Sequence, residues 1–139
     1  MRKSFPIKYE WDIVSIRSEV RELAKEYGFN DLDQSRIVQS VSELARNVVH
    51  HAEEGVVHIE KVEEGEKTGM RIVVQDCGPG IADVDEVIRK SESPAVSDGF
   101  GFKHVRELMD EFSIRDNEGK GTYVEVYKWL SRSGTYTEQ

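Results

Sequence analysis

The chain has 139 residues, 37% hydrophobic and 33% charged, a globular composition of one-domain size. With 19 basic against 27 acidic side chains its formal charge is −8, so it repels phosphate backbones at long range and nucleic acid is not an expected partner. No window holds the roughly 20 apolar residues that span a bilayer, the basic start MRKSFPIKYEWD leads into no apolar stretch, and Cys77 is the single cysteine; these features predict a cytoplasmic protein with no membrane partner and no intrachain disulfide.

In chain order, FPIKYE alternates weakly and predicts a short first strand. Asp12 suits an N-cap for IVSIRSEVRELAKEYG, in which Ile13, Ile16, Val20, Leu23 and Tyr27 recur at helical spacing and Gly28 suits the C′ position. That stripe fits either a core or a dimer face. FNDLDQSR offers the next helix start, and Ile37, Val41, Leu44 and Val48 carry a second helix to about Ala52, with Gly55 marking its end. VVHIEKVEEG alternates and is rich in β-branched residues, GEKTG reads as a turn, and MRIVVQD as a central strand broken by CGPG. DVDEVIRKS predicts a short third helix, SESPAVSDGFG a loop, FKHVRELMDEF a fourth helix, and FSIRDNEGKGTYVEVYKWL a closing hairpin turned at NEGKG. The expected architecture is an α/β two-layer sandwich: a mixed, mainly antiparallel sheet covered on one face by helices. Residues 1–130 form the single expected domain, and 131–139 a flexible C-terminal tail.

Three stretches carry chemistry. In VSELARNVVHHA, at about 100° per residue, Asn47 falls one turn after Glu43, with Arg36, Ser40 and His50 on the same side and the apolar stripe on another. Taken alone, this could be a solvated face. QDCGPGI ends a strand on Asp76 and follows it with Gly78 and Gly80, a tight turn that admits a flat ligand against backbone. DGFGFKHV places Gly99 and Gly101 before a helix start, where N–H groups can meet an anion. Neither glycine pattern matches the P-loop or the dinucleotide-binding fingerprint. His50 and His51 are adjacent and point about 100° apart, so they form no i, i+4 metal pair. Arg46 reads as a phosphate or partner contact or as one half of a surface ion pair, and Cys77 as small filler in the turn.

The order E-x-x-x-N, D-x-G-x-G, G-x-G and then GKGT resembles the GHKL ATPases, which share the Bergerat ATP-binding fold. Within them, YEWDIV, SELARN, DCGPGI, ELMDEF and YKWL are most similar to the small bacterial serine/threonine kinases of partner-switching modules, the RsbT-type switch kinases of the stressosome. The resemblance covers about Tyr9 to Leu130. The lid stretch SDGFGFK departs toward the related anti-sigma-factor kinases. The resemblance implies ATP and Mg²⁺ as cofactors, Asn47 as the Mg²⁺ ligand, Glu43 as the general base, and Asp76 as acceptor from the adenine amine. It further implies that Gly78, Gly80 and Ile81 shape the base pocket and that Thr122 supports Asp76. Gly99, Phe100, Gly101, Phe102 and Lys103 would form the lid end at the phosphates, although Lys103 reads equally as a surface lysine. The implied partners are STAS-domain proteins, a phosphatase of the module and, in the anti-sigma alternative, a sigma factor. A nucleotide-dependent adaptor with negligible turnover is a third alternative, which the intact Glu43 disfavours.

Overall fold

A strand at the N-terminus and four strands after residue 54 pair into one five-stranded sheet, and the two long helices between them lie across it. The computed structural model describes residues 2–80, 84–92, 99–117 and 120–130. The elements are β1 (Arg2–Ile7), α1 (Glu10–Glu26), α2 (Asp31–His51), β2 (Gly55–Glu64), β3 (Lys67–Asp76), α3 (Val84–Glu92), α4 (Phe102–Leu108), β4 (Glu111–Asp116) and β5 (Thr122–Trp129). The sheet order is β1-β2-β3-β5-β4, with β3 central as predicted. Every pairing is antiparallel, so the mainly antiparallel sheet contains no parallel pair among the described residues. The expected tail at 131–139 lies outside them.

One face of the sheet carries the core. Val57, Ile59, Ile72, Val74, Val124 and Val126 are buried there with the helices, and the register sets Ile72 opposite Val126 and Val74 opposite Val124. The α1 stripe belongs to this core: Ile13, Ile16, Val20 and Leu23 are all buried, which settles it against a dimer face. From α2, Ile37, Val41, Leu44 and Val48 are buried on the same side. The opposite face of the sheet is polar. Arg71 there bridges Glu125 and Glu60 and donates to the Tyr123 hydroxyl at 3.1 Å. Burial works against the Arg71 charge, but its bonds to the two carboxylates outweigh that and raise its pKa.

Several boundaries differ from expectation; the expected first strand FPIKYE, for one, is shifted to Arg2–Ile7. Helix α1 starts at Glu10, so Asp12 is not the N-cap; its carboxylate instead accepts from the Lys8 and Tyr9 N–H groups at 2.8 and 2.9 Å, closing the first turn from inside. Helix α4 stops at Leu108, because Met109 turns to extended backbone and Glu111 and Phe112 pair with Tyr127 and Val126 of β5. The predicted GEKTG turn shrinks to Gly65 and Glu66, with Lys67, Thr68 and Gly69 already in β3.

The α4 stop is anchored by Lys128. Its ammonium, on a residue only 8% exposed, donates to the Leu108 carbonyl at 2.7 Å and lies 3.8 Å from Asp33 and 3.7 Å from Asp110. Helix α4 thereby gains a donor for one of its terminal carbonyls and a cation at its negative end. Lys128→Met keeps the stem but removes the donor, leaving two carboxylates without their shared cation. The expected cost is about 1–3 kcal/mol of unfolding free energy by urea denaturation; an unchanged midpoint and slope would show that water replaces the ammonium at no cost.

Candidate active site

The side of α2 that carries Glu43 and Asn47 does not face open solvent. Ser40, placed on that side by the helical wheel, is fully buried, and its hydroxyl has no partner among the described residues. One turn on, the lid end packs against the helix. Asn47 Nδ2 donates to the Phe100 carbonyl at 2.7 Å, and a Cβ built on Gly101 would lie 2.5 Å from Glu43 Oε1. Gly101 also holds φ of +75°, a conformation in which a side chain is strained. Glycine is therefore required twice over: for the turn into α4 and for the closeness of that turn to the carboxylate. Glu43 is flanked by Arg46 at 3.5 Å and by His104 at 3.9 Å. Arg46 is thus held in an i, i+3 ion pair with Glu43. With its amide nitrogen committed, Asn47 presents Oδ1, which has no donor among the described residues, as a neutral hard oxygen of the kind that suits Mg²⁺.

Asp76 ends β3 opposite Gly55, the first residue of β2. One carboxylate oxygen, Oδ1, accepts from the Gly78 N–H at 2.9 Å and from the Thr122 N–H at 3.3 Å. Thr122 thus supports Asp76 through its main chain. The second oxygen, Oδ2, has no protein donor among the described residues and is the atom available to a ligand. The turn after Asp76 lies backbone to backbone on the β4–β5 turn. A Cβ on Gly80 would sit 3.2 Å from the Gly121 carbonyl oxygen, and one on Gly121 would lie 2.7 Å from the Asp76 carbonyl carbon. Gly80 and Gly121 hold φ of +80° and +83°, so both turns depend on glycine.

Between these two corners lies a partly open cleft lined by Leu44, Asn47, Val48, His51, Val74, Asp76, Gly80, Phe100, Phe102, Thr122 and Val124. Of the expected site residues, Asn47, Asp76, Gly80, Phe100, Phe102 and Thr122 converge on it. Glu43 and Gly101 stand together beside Asn47. Gly78 lines an adjoining depression with Cys77, Gly99 and Lys103 do not line the cleft, and Ile81 lies outside the described residues. Sequence reasoning missed His51, whose ring packs 4.9 Å from that of Phe100; its neighbour His50 instead meets Glu10 at 3.0 Å. The apolar walls, Val74 and Val124, were legible only as core strand residues. An apolar slot ending in one acceptor-only carboxylate, with an amide oxygen at its other end, can hold a flat amine-bearing ring and a metal-bound phosphate chain.

The histidine kinase-like ATPase domain family model matches residues 5–128. The chain is 44% identical over 124 residues to the serine/threonine-protein kinase RsbT of Bacillus subtilis, covering 89% of this chain and 93% of that one. It is 32% identical over 100 residues, 67% of either chain, to the anti-sigma F factor of Anoxybacillus flavithermus. In fold it is similar to the catalytic domain of the histidine kinase ThkA, with a TM-score of 0.55 at 18% identity, covering 91% of this chain and 96% of that one. The chain belongs to the histidine kinase-like ATPase family. Within that family it is one of the small RsbT-like serine/threonine-protein kinases. No helix among the described residues is long and apolar enough to cross a membrane.

Gly101→Ala tests the packing of the lid end on Glu43. The methyl group must displace the carboxylate or the turn, so phosphorylation of a protein substrate should fall on the order of 10²-fold, a larger effect than the modest loss of stability that a side chain at φ +75° brings. Full activity in this variant would show that the turn stands clear of Glu43 during turnover.

Proposed function

We propose that the protein transfers the γ-phosphoryl group of Mg²⁺-ATP to a serine or threonine of a STAS-domain partner, and that this transfer switches it between partners. The observation that supports this most is the convergence of Asn47 and Asp76 on one apolar cleft, with Glu43 one turn before Asn47 on α2. In this reading Asp76 Oδ2 accepts from the adenine amine, which favours adenine over guanine because a carboxylate cannot donate. Leu44, Val48, Val74 and Val124 enclose the base, with Gly78 and Gly80 shaping its turn. Asn47 Oδ1 would hold Mg²⁺, which when bound would neutralise phosphate charge. Gly99, Phe100, Gly101, Phe102 and Lys103 meet the phosphates. Glu43 takes the proton of the acceptor hydroxyl as that oxygen bonds to the γ-phosphorus and the bond to the ADP oxygen breaks.

A phosphorylated STAS partner carries about −1.5 to −2 additional charge. It meets a chain at −8 whose Asp85 and Glu86 are exposed at the start of α3. Repulsion then releases the kinase to a second partner, a phosphatase of the module, as part of stressosome output in the cytoplasm. The similarity to an anti-sigma F factor supports a second reading, in which the chain sequesters a sigma factor and phosphorylates its antagonist.

Incubation of wild type and Glu43→Gln with labelled ATP, Mg²⁺ and a STAS protein tests both the activity and the base. Glu43→Gln should bind ATP normally and lose transfer by about 10²- to 10⁴-fold. Equal rates at saturating ATP would remove Glu43 from the chemistry. A stable complex with a sigma subunit in the same preparation would move the second reading ahead.

A further inference from the structure

The turn between β4 and β5 reaches back to the end of β3 through one side chain. Asn117 Nδ2 donates to the Asp76 carbonyl at 2.8 Å. The β3–β5 ladder ends one residue earlier, at Gln75 opposite Tyr123, so Asp76 lies past the last strand pair on that side. Asn117 is itself tied into its turn at both main-chain groups. Its N–H donates to the Gly121 carbonyl at 3.2 Å, and its carbonyl accepts from the Lys120 N–H at 3.0 Å. Gly121, in the same turn, approaches the Asp76 main chain too closely to tolerate a Cβ. The Asp76 residue is therefore held at two points by one turn: its carbonyl by the Asn117 amide, and its Oδ1 by the Thr122 N–H at 3.3 Å.

We propose that Asn117 is a positioning residue for base recognition: it fixes the Asp76 main chain so that Oδ2 is the oxygen offered to the ligand. The inference rests on the reading of Asp76 as the acceptor from the adenine amine. The chemistry requires a donor at position 117. An amide supplies one, whereas an ionised carboxylate of the same shape would face the Asp76 carbonyl as a second acceptor. Without that bond the carbonyl must find water, and Asp76 gains freedom to turn Oδ2 away from the ring. The loss should fall on recognition of the exocyclic amine and leave stacking and phosphate contacts in place.

The test is calorimetry with two nucleotides, Mg²⁺-ATP and the triphosphate of purine riboside, which lacks the exocyclic amine. Wild type, Asn117→Ala, Asn117→Asp, Asp76→Asn and the Asp76→Asn/Asn117→Ala pair are compared. Asn117→Ala should weaken ATP binding by roughly 3- to 10-fold, the scale of one hydrogen bond, and Asn117→Asp by at least as much. Neither should change binding of the purine riboside nucleotide, which also reports that the site is folded. In the Asp76→Asn background, Asn117→Ala should add nothing. Equal weakening of both nucleotides, no effect on either, or full additivity with Asp76→Asn would overturn the positioning role. If Asp76→Asn leaves the preference for ATP over the purine riboside nucleotide intact, the reading of Asp76 itself fails, and the role of Asn117 fails with it.

Discussion

Helix α2 has to satisfy two different neighbours along one length of chain, and the rest of the molecule follows from that. Ile37, Val41, Leu44 and Val48 bury one stripe in the core. Glu43 and Asn47, displaced around the helix, meet the turn into α4 instead. The two demands fit because three- and four-residue spacings alternate around a helix of 3.6 residues per turn. The covered stripe fixes where the helix lies, and the second side then has no freedom in where it delivers its carboxylate and amide. Leu44 and Val48 belong to both arrangements, since they are core residues whose surfaces also line the cleft.

The opposite wall is built by backbone rather than by side-chain packing. Asp76, the Gly80 turn and the Gly121 turn stack at distances that exclude a Cβ. The carboxylate then takes its Oδ1 bonds from main-chain N–H groups, which are rigid donors that lose little entropy on bonding. A polar group at the end of an apolar slot is costly unless satisfied. Two donors on one oxygen leave the other to be satisfied by water or ligand, so the same geometry that stabilises the corner also keeps one acceptor open. At the far side of the cleft, Phe100 closes against His51 and Phe102 through ring contacts at 4.9 and 5.3 Å.

What could be read from the sequence follows the range of the interactions. Helices α1 and α2 were legible because their stripes repeat within a few residues, and β3 because its apolar run is long. Asp12 was misplaced because a carboxylate serves equally at the N-cap or three residues inside it, and only geometry separates the two. The end of α4 was misread because Phe102, Val105, Leu108, Met109 and Phe112 do keep a helical period; pairing with β5, more than ten residues further on, overrides it. Of the site, Glu43, Asn47 and Asp76 stood out by spacing and by neighbouring glycines. His51 and Asn117 did not, since their partners Phe100 and Asp76 lie 49 and 41 residues away and no local pattern marks either contact. The burial of Ser40 was hidden for the same reason: a helical wheel gives direction but does not say what packs there.

The central claim is that the two corners, Asp76 at one end and Asn47 with Glu43 at the other, hold the two ends of one nucleotide. A crystal structure with Mg²⁺ and a non-hydrolysable ATP analogue measures this most directly. The expected result is the adenine amine on Asp76 Oδ2, the metal on Asn47 Oδ1, and Glu43 facing the γ-phosphate with room for a hydroxyl between them. A base turned away from Asp76, or a metal held without Asn47, would contradict it.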